Sequence, residues 1–396
     1  MKRPRFFAVV ALLLAFAVAA AIYWRLTHPA PGPMRLERRN FADLPGWSAA
    51  DPRPALAAFR RSCALFGAKA PTQPIGPYGG AVGDWLSACD AARENPSGPR
   101  AARAFFERWF SPFEVFAGGV GDGLFTGYYE PELRGSRMKS GRYATPVYGL
   151  PDDLITVDLG RFPSALSTQR IAGRLDGSAL VPYATRAEID AHGLGRAKVL
   201  FYADDPIAVF FLHIQGSGRV RFADGATARV AYAGQNGWPY TPIGRILISE
   251  MGLSRQGMSM QTIRAWLASH PSDARRIMES DASFVFFREL PIGDPGLGSP
   301  GAEGAPLQPG ASLAVDAKIH PLGAPFYVAT NMPDSKTPLR RLFVAQDTGG
   351  AIRGPLRADI FFGFGPQAEA DAGRMKQPGS IFVLLPNPVA QRLARK

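Results

Sequence analysis

From Gly123 to its end the chain is written as short apolar runs, each stopped within a few residues by glycine, proline or aspartate. SLAVD (312–316), PFYVAT (325–330), RLFVAQD (341–347), ADIFF (358–362) and SIFVLL (380–385) are the clearest. Runs this short, rich in valine, isoleucine and phenylalanine and bounded by turn formers, are strands; helices need about ten residues or more. With 43 Gly and 36 Pro among 396 residues, the chain reads as mainly β with many tight turns. A 46% apolar, 20% charged composition supplies enough core for two globular domains.

The plainest hairpin is RVRF (219–222) and ARVAY (228–232) around Asp224-Gly225. Before it, the unbroken apolar run PIAVFFLHIQ (206–215) predicts a strand buried on both faces, with His213 a core or interface histidine. Upstream of Gly123 the period is helical. Leu56, Phe59, Cys63 and Phe66, then Trp85 and Cys89, then Phe105, Phe106, Trp109 and Phe110 predict N-terminal helices over about 53–68, 80–93 and 100–111. A further helical segment is expected at 260–269 and 274–280, and PIGDPGLGSPGAEGAPLQPG (291–310), lacking period and bulk, is expected to be a mobile loop.

Lys2, Arg3 and Arg5 precede an apolar run from Phe6 to Trp24, so residues 1–26 form an uncleaved membrane anchor or a signal peptide cut near Ala19–Ala21. Either way the remainder is exported, which puts it in the periplasm. No cysteine lies near the end of the run, so a lipoprotein anchor is not expected. Residues 27–50, rich in Pro and Arg, read as a tether. In an oxidising compartment Cys63 and Cys89 read as a disulfide between two helices, with a pair of buried thiols as the alternative. Two thiols without nearby histidine cannot complete a zinc shell. The net charge of +12 suits a polyanionic partner such as peptidoglycan or a lipid face, and export disfavours nucleic acid.

Several catalytic constellations are missing. The five histidines include no HExxH, Ser217 in QGSGR lacks a nucleophile elbow, and the GFGPQA match (363–368) is followed by too little chain for a dinucleotide-binding unit. Three segments are candidates for chemistry. Asp347 ends a strand at the Gly349-Gly350 turn and Asp359, twelve residues on, begins the next: a carboxylate pair for glycoside cleavage, or two turn residues. GLFTGYYEPEL (123–133) gathers Thr126, Tyr128, Tyr129 and Glu130, and GQNGWPYTPIG (234–244) offers Asn236, Trp238 and Tyr240; both mix hydroxyls, amides and aromatic faces as sugar sites do, or else pack in a core.

Taken together, TGYYEP, LVPYATRAEID, FFLHIQGSGRV, YAGQNGWPYTPIG and QDTGGAIRGPLRADIFFG resemble the membrane-bound lytic murein transglycosylase A family, and Asp316, Asp347 and Asp359 resemble its three-aspartate signature. The resemblance implies a double-psi β-barrel domain in two pieces (51–140 with the helical cap, and 270–396), an inserted second β-barrel-like domain (141–269), and a glycan groove between them. It implies Asp359 as the single catalytic acid and base, Asp347 as its close partner, and Thr126, Tyr128, Tyr129, Glu130, Gln215, Ser217, Asn236, Tyr240, Gly349 and Gly350 as substrate contacts. The expected activity is cleavage of the β-1,4 bond between N-acetylmuramic acid and N-acetylglucosamine with 1,6-anhydro products, needing no cofactor or metal. The expected form is a monomer, with other cell-wall enzymes as potential partners. A non-catalytic peptidoglycan-binding barrel and a hydrolytic muramidase are the alternatives. Members of the family are commonly lipoproteins, and this chain departs from them in having no lipobox cysteine.

Overall fold

The computed structural model describes residues 33–94, 97–162, 170–254, 258–333 and 337–395. The anchor or signal segment expected at 1–26 lies outside them, and no described helix is long and apolar enough to cross a membrane. Strands β1 (Met34–Arg38) and β2 (Phe110–Ala117) bracket helices α1 (Arg53–Phe66), α2 (Gly83–Arg93) and α3 (Pro99–Trp109). The helical spacing of Leu56, Phe59, Cys63 and Phe66 puts all four on the buried face of α1. There Phe59 packs its ring against those of Trp85, Phe105, Phe106 and Phe110 at 5.4–6.4 Å.

A disulfide joins Cys63 on α1 to Cys89 on α2 across 26 residues of sequence. Closing a loop of that length removes unfolded-state entropy worth about 3 kcal/mol. The double variant Cys63→Ala/Cys89→Ala is therefore expected to lose about that much unfolding free energy in urea titrations. An unchanged midpoint would rule the bond out as a stabiliser.

The tether expected at 27–50 is folded from Met34 onward. β1 pairs antiparallel with β2, Met34 opposite Ala117 and Arg38 opposite Phe113. Leu44 and Trp47 are buried, and the Trp47 indole donates to Glu107 at 2.7 Å. Two apolar anchors joined by short turns need no periodicity, which is why the pattern looked structureless.

After β3 (Gly123–Glu130) and Pro131 the chain enters a second region: β4 (Glu132–Ser136), β5 (Thr145–Tyr148), β6 (Ile155–Asp158), β7 (Arg170–Asp176), β8 (Ala179–Pro182), α4 (Arg186–His192), β9 (Val199–Ala203), α5 (Pro206–Gln215), β10 (Ser217–Phe222), β11 (Thr227–Gln235), α6 (Ile243–Met251), α7 (Met260–Ser269), α8 (Pro271–Glu279) and β12 (Val285–Leu290). β6, β7 and β8 make a three-stranded sheet; the other strands make a six-stranded sheet in the order β12-β11-β10-β4-β9-β5. Because β4 and β12 belong to this sheet, it runs from 132 to 290, beyond the expected limits of 141 and 269.

The 206–215 run is a helix, not a strand. Asp205 caps it by accepting the Ile207 N–H at 2.8 Å, Pro206 opens it, and Gly216 closes it in the left-handed conformation at φ 76°. These start and stop signals outrank the unbroken apolar pattern, which arises because α5 is buried almost all round.

The chain then returns to the first sheet with β13 (Ser312–Val315), β14 (Pro325–Asn331), β15 (Pro338–Asp347), β16 (Arg357–Phe364), α9 (Pro366–Arg374), β17 (Lys376–Pro386) and α10 (Asn387–Leu393). Its order is β1-β2-β17-β14-β15-β13-β16-β3, and a further β17–β3 pairing closes the run from β17 to β3 into a barrel. The fold is mainly β with a helical cap.

The segment at 291–310 is not a loose loop. Gly298 N–H bonds the Leu307 carbonyl at 2.8 Å, Leu307 N–H that of Ser299 at 3.1 Å, and Gly301 N–H that of Ala305 at 3.0 Å, while Ala305 and Leu307 are buried. Lacking bulk of its own, it is held by groups from both sheets, a source of order that local sequence does not display.

Candidate active site

The register of the barrel sheet brings the two aspartates together. On β13, Ala314 is the partner of Asp347 across the parallel β15 edge and of Asp359 across the antiparallel β16 edge, and Asp359 in turn faces Thr126 on β3. With strands about 4.8 Å apart, the aspartate backbones stand about 10 Å from each other, and only the Ala314 methyl group lies between them in the row.

The two carboxylates have different surroundings. Asp347 accepts the Ala302 and Thr348 N–H groups on Oδ1, both at 2.9 Å, and the Tyr128 hydroxyl on Oδ2 at 3.0 Å. Burial raises its pKa, and these three donors pull against that by favouring the charged form. Asp359 has a buried Oδ1 with no partner. Burial raises its pKa to about 6; the Thr126 hydroxyl and the Arg357 charge oppose the rise and the Asp347 charge assists it. One carboxylate is thus an acceptor with both oxygens engaged, and the other keeps one buried oxygen free and holds its proton to a higher pH than an ordinary aspartate. The third aspartate of the signature, Asp316, is buried and accepts the Lys318 and Gly354 N–H groups, bracing the turn that leads into β16.

Tyr128 links the pair. Its ring lies 5.2 Å from that of Phe361, and burial, reinforced by the charges of Asp347 and Asp359, pushes the phenol well above 10, so it remains a donor. Between Thr126 and Tyr128 a side chain is impossible: a Cβ on Gly127 would sit 2.5 Å from the Phe362 ring and 2.9 Å from the Ala372 backbone of α9.

Of the other residues expected at the site, Gln215 stands beside it, its Oε1 accepting the Tyr129 N–H at 3.1 Å, and Ser217 opens β10 half-buried, opposite Ala231. Gly349 and Gly350 lie in the turn after Asp347, and a Cβ on Gly350 would meet open space.

Three of the residues expected as substrate contacts are buried and engaged by other groups of the protein. Glu130 is fully buried, ion-paired to Arg219 at 3.1 Å and Arg229 at 3.4 Å, and accepts the Ser299 N–H at 2.6 Å. Tyr129 is buried with Ala368 and Ala372. Asn236 is buried and spends its amide on the Ala184 and Ala282 carbonyls and the Phe284 N–H, all at 2.9 Å. Tyr240 is exposed, on the loop whose Trp238 indole bonds the Tyr183 carbonyl, and has no hydrogen bond to the aspartate cluster.

Two groups near the aspartates were missed. The Ala302 N–H comes from the segment expected to be mobile, and Arg357 sits two positions before Asp359 on the same strand face, where the period of two would have found it.

Residues 124–288 match the family described as the MltA specific insert domain, and 311–385 match the 3D domain. The membrane-bound lytic murein transglycosylase A of Escherichia coli K12 is 33% identical over 281 residues, covering 69% of this chain and 68% of that protein. The crystal structure of a membrane-bound lytic murein transglycosylase from Agrobacterium tumefaciens is 34% identical, covers 90% of this chain and 99% of its own, and superposes with a TM-score of 0.80. That of Escherichia coli MltA with bound chitohexaose is 27% identical, with coverages of 91% and 96% and a TM-score of 0.66. On this identity and coverage, the chain belongs to the membrane-bound lytic murein transglycosylase A family.

Proposed function

We propose that this chain cleaves peptidoglycan glycan strands as a lytic transglycosylase, with Asp359 as its only acid and base. The family supplies the reaction class, and the observation that carries the residue is the buried, unpartnered Oδ1 of Asp359 beside an Asp347 whose oxygens are already engaged. Asp359, protonated below a pKa of about 6, gives its proton to the glycosidic oxygen as the bond from muramoyl carbon 1 breaks. The resulting carboxylate takes the proton of the muramoyl carbon 6 hydroxyl, whose oxygen closes on carbon 1. The acid is regenerated, no water enters, and the product ends in a 1,6-anhydro ring.

In this reading Thr126 orients Asp359, Tyr128 and Asp347 hold the cluster's charge, and Gln215, Ser217 and the open turn at Gly349 and Gly350 border the sugar. The closed sheet is a double-psi barrel assembled from residues 33–130 and 298–395, with the insert at 132–290 forming the opposite wall of a groove. The protein works in the cell envelope, exported and held there by its N-terminal segment.

Mass spectrometry of purified sacculi after digestion should give anhydro-ended muropeptides in place of reducing ends. Reducing ends would make the enzyme a hydrolytic muramidase, and sacculus binding without soluble product would make it a binding barrel.

A further inference from the structure

Arg357 lies on β16 with its side chain on the face that carries Asp359. Half-buried, it donates from Nη1 to the Leu124 carbonyl at 2.6 Å and from Nη2 to the Thr126 hydroxyl at 3.3 Å. Leu124 and Thr126 are the β3 residues in register with Arg357 and Asp359 themselves, so the guanidinium spans one full pleat of the β3–β16 ladder. A threonine hydroxyl has one proton. With its lone pairs turned toward Arg357, Thr126 directs that proton at the Asp359 carboxyl, the hydrogen bond that opposes the effect of burial there.

We propose that Arg357 is a positioning residue for the acid, fixing the Thr126 hydroxyl and balancing the negative charge that Asp359 acquires each time it gives up its proton. This rests on the reading of Asp359 as the catalyst. The charged and titratable groups around Asp359 are Arg357 on its own strand, Tyr128 on β3 and Asp347 on β15, with the exposed Lys376 of β17 across from Thr126; β13 contributes the uncharged Ala314. Arg357 is the cation whose field opposes that of Asp347 at the carboxyl. Lysine at this position would keep the charge without the fork that reaches both Leu124 and Thr126.

The test is the pH dependence of turnover on purified sacculi. Asp359 must be protonated to act, so activity falls on the alkaline side through its pKa. Removing a cation raises that pKa, so Arg357→Met should carry the alkaline limb upward by about one pH unit while lowering turnover. Arg357→Lys should leave the limb in place and lower turnover several-fold. Thr126→Val should move the limb upward and Thr126→Ser should restore it, a comparison that stands even if Arg357→Met does not fold. A limb unmoved in folded Arg357→Met or in Thr126→Val overturns the assignment. Asp359→Asn run alongside separates the two readings: if it is inactive while the limbs stay fixed, only the role of Arg357 falls, whereas near-parent activity removes Asp359 itself.

Discussion

Asp359→Asn is expected to lower turnover on sacculi by about 1,000-fold or more, because in the proposed reaction one group supplies both the acid and the base step and each is worth about 100-fold or more. The same change should make the folded protein more stable at alkaline pH. Burial holds the Asp359 pKa at about 6 against an ordinary 3.8, so the folded state binds the proton more tightly than the unfolded one. That contribution is fully present below about pH 4 and is lost as pH rises through 6. Above it the native state carries a poorly solvated carboxylate at a cost of about 2–3 kcal/mol. Calorimetry should accordingly show Asp359→Asn melting several degrees above the parent at pH 8 and level with it at pH 4. Activity above a few per cent of the parent would sink the catalytic assignment, and equal melting at both pH values would sink the account of its burial.

The largest effect on stability belongs to Glu130. It is fully buried between Arg219 and Arg229, which also bond the carbonyls of Pro295, Leu297 and Ile292, and its Oε1 takes the Ser299 N–H. Glu130→Gln keeps the shape and deletes the charge, leaving two part-desolvated guanidinium groups without their counterion. Breaking such a pair costs about 3–5 kcal/mol. Urea titrations of Glu130→Gln should show a loss of that size, and Glu130→Leu/Arg229→Met should recover part of it. Activity measured below the melting transition should also fall, because the 291–310 strap, held at Ser299, also supplies the Ala302 N–H that fixes Asp347. A loss below 1 kcal/mol would mean that the ion cluster does not hold the strap.

Much of this was legible in the sequence for identifiable reasons. The barrel strands were, because each is apolar, short and bounded by turn residues. The aspartate pair was, because strand ends beside glycine turns bring side chains to one edge. The burial of Glu130, Tyr129 and Asn236 was not legible, because a polar or aromatic residue in a motif looks the same whether it meets a sugar or a buried arginine, a helix or a backbone amide. What separates them is the partner, here Arg219, Ala372 or Phe284, supplied from 48 to 243 positions away along the chain. The 206–215 helix was misread because burial on nearly every side erases the periodicity that distinguishes a helix from a central strand.

The order of strands also has a consequence for when the enzyme comes to exist. Arg357 bonds Leu124 across 233 residues of sequence, and β3 needs both β16 and β17 beside it. Contacts this distant form late, after their loop-closure entropy has been met by other structure. Until β15 and β16 are in place, Thr126 and Tyr128 lack Asp359 and Asp347 as neighbours. On the reading of Asp359 as the acid, the site is assembled only when β16 pairs with β3, and a variant truncated before β16 lacks Asp359 altogether.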